Sequence, residues 1–233
     1  ALMNLACVAG ACVEFLDRDA YALEYPNGTG IDNSVALYFG QPVVAYYRRA
    51  EGVPGDLMVA VFSGGTLLST LVGDSGARTA GEPGGPRTDG DVGLSATVAV
   101  DPARGAIYVA YVDAWEEMLL YRRITEPVPS PIVVVDDGYA AYPDRAFVGD
   151  NAEIAVLPTG EARIAYGNMT HHWLMLATQP LGTSGFTVER IDPVSPVAPA
   201  DTAGFWTTQR LVGDVSYLSD FFFDQQATPS TWG

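Results

Sequence analysis

The chain has 233 residues, 28 acidic side chains against 12 basic ones, and a formal net charge of −16. All 12 basic residues are arginine; without lysine, Schiff-base chemistry, a Walker A loop and a kinase-type catalytic lysine are excluded. The acidity would repel a phosphate backbone, so nucleic acid is not an expected partner. An apolar content of 48% suits a globular chain with a sizeable core, and no run is long enough for a transmembrane helix.

Residues 1–12 form an apolar N-terminal segment without a basic leader, so they do not make a signal peptide as they stand. The only cysteines, Cys7 and Cys12, fall here. A disulfide closing this small loop would place the protein outside the cytoplasm, in the periplasm, at the cell surface or secreted. Two free buried thiols are the alternative, and two thiols alone are too few for a structural zinc site. Val13 to Leu16 and Tyr21 to Tyr25 then read as strands without an obvious unit of their own.

From about residue 30 the chain repeats. Ala-Tyr closes a short apolar run at Ala45-Tyr46, Ala110-Tyr111 and Ala165-Tyr166, with Val215-Ser216-Tyr217 as a fainter fourth copy. Repetition at this period marks radial or stacked architectures. The first unit reads as Ser34–Phe39, Val43–Arg48, Leu57–Phe62 and Leu67–Val72. The second reads as Ala96–Val100, Ala106–Val112, Met118–Arg122 and Ile132–Val135, and the third as Glu153–Leu157, Ala162–Tyr166, Trp173–Thr178 and Phe186–Ile191. The runs are rich in Val, Tyr, Ile and Leu and bounded by Gly, Pro, Asp and Asn, as strands are. None keeps helical spacing over three turns, so almost no helix is expected.

A fourth unit offers Trp206–Val212 and Val215–Leu218, with Phe221-Phe222-Phe223 opening a third strand, and then the chain stops. The expected fold is therefore all-β: a β-propeller of about four four-stranded antiparallel blades, occupying residues 13–233. The repeats cover about 30–73, 91–136, 149–192 and 204–233, the last completed by strands from 13–26. Closing the ring this way removes an exposed sheet edge; an open fragment of a larger ring is the alternative. Two long connections, Asp74 to Gly93 and Asp192 to Ala203, cross one face of such a ring, where loops carry function or are disordered.

The run Asp91-Val92-Gly93-Leu94-Ser95 through Ala99-Val100-Asp101, followed by Tyr108-Val109-Ala110-Tyr111-Val112-Asp113, resembles a widespread bacterial secreted β-propeller repeat. The likeness extends over roughly 30–225 and is partial in the first and third units. It implies exported or surface binding modules rather than an activity. Sialidases and WD-type proteins share that architecture, but the Ser-x-Asp-x-Gly-x-x-Trp box of sialidases does not occur in this chain, and fold likeness alone is a weak warrant for function.

Three features could carry chemistry. Asp32, Asp91 and Asp150 recur 59 apart before the first strand of successive units; at one channel mouth they would suit calcium, unless they merely cap turns. His171-His172-Trp173 lies between strands of the third unit, and on an extended chain adjacent histidines point apart. Trp115, Tyr139 and Tyr142 occupy other inter-strand turns and could complete an aromatic binding surface or pack between blades. The function expected from these residues is a non-catalytic exported module. It would recognise a protein partner or surface glycan through loops on one face, and could serve as an accessory subunit of a larger assembly. The alternative is a glycosidase or polysaccharide lyase using Asp91 and Asp150 at the channel mouth, assisted by His172 or Tyr142.

Overall fold

The computed structural model describes residues 3–4, 14–15, 28–50, 52–124, 130–139, 144–191, 202–212 and 215–223. The expected disulfide at Cys7 and Cys12, Tyr142 and residues 192–201 lie outside these. The described residues hold sixteen strands: β1 (Met3–Asn4), β2 (Glu14–Phe15), β3 (Gly28–Tyr38), β4 (Gln41–Arg49), β5 (Asp56–Ser63), β6 (Thr66–Asp74), β7 (Val92–Asp101), β8 (Ala106–Asp113), β9 (Met118–Ile124), β10 (Val133–Asp136), β11 (Val148–Val156), β12 (Ala162–Asn168), β13 (Trp173–Gln179), β14 (Thr187–Arg190), β15 (Thr202–Val212) and β16 (Val215–Phe223). The one helical turn among them is a 3-10 turn, Pro102–Arg104, where Asp101 Oδ1 accepts the Arg104 amide at 3.1 Å and Gly105 turns left-handed.

β3–β6, β7–β10 and β11–β14 each form a four-stranded antiparallel meander, and β15–β16 form a two-stranded fourth sheet. The fold is all-β and propeller-like, with the first strand of each sheet innermost: β7 packs beside β3, β11 beside β7, and β15 beside β11. The two N-terminal strands pair with each other, Met3 opposite Phe15, as a separate ribbon; no ladder among the described residues joins them to β15–β16.

Sheets stack face to face through alternating side chains, as strand pleating requires. Between the first and second sheets lie Val43, Ala45, Leu57, Val59, Val109, Tyr111 and Leu120. Between the second and third lie Tyr108, Leu119, Tyr121, Ile164, Tyr166 and Met175. The tyrosines of the Ala-Tyr repeat, Tyr46, Tyr111 and Tyr166, are fully buried. The fourth copy is elsewhere than the sequence suggests. Ser34, Thr97, Glu153 and Thr208 stand opposite Ala45, Ala110, Ala165 and Ser219, which puts Asp220, not Tyr217, at the tyrosine's register position. Tyr217 pairs with Arg210 and is 59% exposed. The three phenylalanines end β16 rather than opening another strand.

The inner strands begin earlier than the sequence indicates, because each carries the same irregularity. Register slips after Thr29 and Ile31 in β3, after Val92 and Leu94 in β7, after Val148 and Asp150 in β11, and after Thr202 and Phe205 in β15. Gly30, Gly93 and Gly149 occupy the left-handed region in the first three, with φ of 87°, 105° and 97°. At Gly93 an added Cβ would also stand 2.7 Å from Leu57 Cα. Residues whose Gly, Asp and Asn content suggests a turn therefore lie inside a bulged strand.

Candidate functional site: the channel and the upper face

Two residues beyond each glycine, Asp32, Ser95 and Asn151 adopt left-handed φ values of 48°, 51° and 51°. This bulge turns their polar groups toward the neighbouring sheet. Asp32 Oδ2 accepts the Ser95 amide at 3.0 Å, and Ser95 Oγ accepts the Asn151 amide at 3.2 Å. Two residues further on, Ser34 Oγ accepts the Val98 amide and Thr97 Oγ1 accepts the Ile154 amide, both at 3.2 Å. Two tiers of side-chain-to-backbone bonds thus join inner strands that share no ladder. They also give partners to amides on the inner edge of each sheet, which has no neighbouring strand in a ladder.

The four inner strands border a cavity of about 280 Å³, lined by Asp32, Asn33, Ser34, Ser95, Thr97, Asn151, Glu153 and Thr207 together with Ala96 and Ala152. Glu153 stands where the preceding sheets have a hydroxyl. Burial pushes its carboxyl upward, and the charge of Arg210 pulls in the opposite direction.

The aspartates expected at one channel mouth are not equivalent, since the bulges recur at 63, 56 and 55 residues rather than 59. Asp32 and Asp150 both reach Ser95, the latter through a 3.1 Å bond from Ser95 Oγ to Oδ1. Asp91 belongs to the seam between the first two sheets, where its Oδ1 accepts the Tyr47 hydroxyl at 2.7 Å and the Gly55 amide at 3.1 Å. Burial foremost, then that bond to Asp91, raises the Tyr47 hydroxyl well above its ordinary range. Among the described residues no three Asp, Glu, His or Cys side chains come together as metal ligands.

Turns alternate between the ends of an antiparallel meander. The second-to-third-strand turns and the sheet-to-sheet connectors therefore share one end, the upper face. Trp115, Tyr139, His171, His172 and Trp173 all belong to it. The turns 114–117 and 169–172 are built alike: Asp113 Oδ1 accepts the Glu116 amide and Asn168 Oδ1 the His171 amide, while Glu117 and His172 close them with φ of 53° and 57°. The histidine pair sits in this turn, not on the extended chain assumed from sequence. Residues 145–148 run between the two turns. Arg145 Nη2 donates to the Glu116 carbonyl, the Phe147 amide to Thr170 Oγ1, and the Met169 amide to the Phe147 carbonyl.

Aromatic rings and guanidinium groups meet repeatedly on this face. Arg87 lies 5.9 Å from the Trp115 ring centre, Arg145 5.5 Å from Tyr139, and Arg190 4.4 Å from Trp173, whose ring is 4.8 Å from that of His171. Trp115 and Tyr139 are 51% and 57% exposed. Nothing local in the sequence marks Arg87 or Arg145, each a lone arginine in a loop connecting two sheets.

The long connector 75–91 is pinned from beneath. The buried Arg78 grips Asp74 through both guanidinium nitrogens, at 2.7 and 2.8 Å, while the Tyr111 hydroxyl and the Gly76 amide donate to the same carboxylate. Burial disfavours the charge on Arg78, but the bond and charge of Asp74 outweigh it, so its pKa is raised. Arg87 bonds Asp113 and, through Nε, the Gly76 carbonyl at 2.7 Å. The next seam repeats the theme: the Tyr166 hydroxyl donates to Asp136 Oδ2 at 2.6 Å and the Gly138 amide to Oδ1.

These sheets define the class, an all-β, propeller-like repeat protein whose inner strands are clamped by side chains. No protein-family model matches the chain, and none of the curated proteins is significantly similar to it.

Proposed function

We propose that this protein is a non-catalytic binding module that engages a protein or glycan through its upper face. The observation carrying the reading is the pair of exposed rings, Trp115 and Tyr139, each beside an arginine held by its own carboxylate or carbonyl partner. Trp, Tyr and Arg are the residues that dominate binding energy at interfaces, and anchored side chains lose little freedom on association. An exported location and a place in a larger assembly are part of the proposal.

The enzymatic alternative would use Asp91 and Asp150, which stand in different settings: Asp91 accepts the Tyr47 hydroxyl in the first seam, and Asp150 accepts the Ser95 hydroxyl at the inner strands. Calcium enters only as a test. Asp32 and Asp150 share Ser95 as neighbour and are the carboxylates that a titration followed by thermal shift would probe.

The experiment is a glycan and peptide array read with the parent chain, with Trp115→Ala and with Leu181→Ala, a change at an exposed residue on the opposite face. Binding lost in the first variant and kept in the second supports the reading. Hydrolysis or elimination of any arrayed polysaccharide overturns it.

A further inference from the structure

We infer that the partner of the upper face is a cationic polypeptide segment, rich in Arg or Lys, anchored on Trp115 and Tyr139. This rests on the reading that the upper face is the working surface and adds the chemistry of what it meets.

The basic groups beside the two rings are already engaged. Arg87 pairs with Asp113 and Glu116, and Arg145 pairs with Glu117 and the Glu116 carbonyl. Both guanidiniums meet the same 114–117 turn, so Trp115–Arg87 and Arg145–Tyr139 form one connected patch. Around it Asp89, Glu117, Asp137 and Asp144 are exposed, and the chain as a whole carries −16. Such a patch combines π faces with excess carboxylate. A guanidinium or ammonium gains from both, by stacking on a ring and by charge-assisted hydrogen bonds. The overall field draws a cation in and repels an acidic peptide or an anionic polysaccharide. A neutral sugar can stack on the rings and donate its hydroxyls to the carboxylates, but it carries no charge for the overall field to draw in.

The test measures fluorescence anisotropy of a labelled arginine–serine repeat peptide against the full chain. Trp115→Ala with Tyr139→Ala, Glu117→Gln with Asp144→Asn, and Leu181→Ala are compared, each checked for an unchanged thermal midpoint. A glutamate–serine peptide of equal length and a neutral cello-oligosaccharide serve as the other probes. The arginine peptide is expected to bind, and the double aromatic variant to weaken it at least about tenfold. The carboxylate variant should weaken it as well, and Leu181→Ala should leave it unchanged. Binding that survives loss of both rings reflects long-range attraction alone and overturns the inference. If instead the oligosaccharide is preferred and lost in the aromatic variant, the cationic partner is overturned while the upper-face reading stands. No probe responding to any upper-face variant removes both.

Discussion

The hydroxyl of Tyr111 donates to Asp74 Oδ2 at 2.7 Å across the seam between the first two sheets, and it does so while completely buried. Burial first, and the neighbouring carboxylate next, hold its proton far above the ordinary tyrosine range. Tyr111 therefore stays a neutral donor to the Asp74 carboxylate. Tyr111→Phe is expected to lower unfolding stability by about 1–3 kcal/mol, the cost of an unmade buried bond to a charge. Asp74→Asn should cost more, about 3–5 kcal/mol, because it deprives buried Arg78 of its bidentate partner. Urea denaturation of both variants checks the order; equal losses would contradict it.

The bulge glycines make a separate prediction. Gly93→Ala forces a left-handed φ on a residue with a Cβ and drives that atom toward the Leu57 backbone. A cost of about 2–4 kcal/mol is expected, combining strain of one to a few kcal/mol with the steric term. At Gly40, φ is also positive but nothing lies within 4 Å of an added Cβ. The same substitution there should cost about 1 kcal/mol. The difference in thermal midpoint between the two variants isolates the backbone contact.

The inter-sheet clamps can be cut one at a time. Thr97→Val keeps the shape of the side chain but leaves the buried Ile154 amide without its acceptor, at about 1–3 kcal/mol. Ser34→Ala removes the corresponding acceptor in a more exposed position and should cost less. Hydrogen exchange at the Ile154 and Val98 amides reports each loss directly, and unchanged protection in either variant would show the clamp to be idle.

Glu153 predicts a pH dependence. Its folded carboxyl titrates above the unfolded one, so its contribution to stability is fully present below the unfolded value and is lost as pH rises through the folded value. The share contributed by Glu153 should therefore decline from the ordinary glutamate range upward, and Glu153→Gln should remove that decline and raise stability near neutrality relative to the parent chain. Midpoints measured across the acidic range check the sign; a steeper decline in the variant would reverse it.

Much of the architecture was legible before any coordinates. Short runs such as Ala106–Val112 and Trp173–Thr178 match β8 and β13 within a residue, because apolar segments flanked by Gly, Pro and Asp have one cheap conformation. The sequence indicates shorter inner strands because Asp32, Asn33, Asp150 and Asn151 carry turn propensity, whereas in the fold Asp32, Asp150 and Asn151 are tied to Ser95 of the adjacent sheet. The same ambiguity made Asp32, Asp91 and Asp150, truly 59 residues apart, look structurally equivalent. Trp115 and Tyr139 could be assigned to loops from sequence, but their arginine neighbours could not. Those pairings depend on connectors whose path is fixed by buried ions rather than by local preference.

The pinned connector bears on how the molecule can be handled. Residues 75–91 have the composition of a tether, yet Arg78 and Arg87 lock them to carboxylates in two different sheets. The segments around Arg78 and Arg87 should resist a protease better than the exposed tip between them, and an epitope tag or a fused reporter that displaced either arginine would prise apart the first seam. The reversal at Gly64–Gly65, where both residues are exposed and neither has a close neighbour, is the place to graft one.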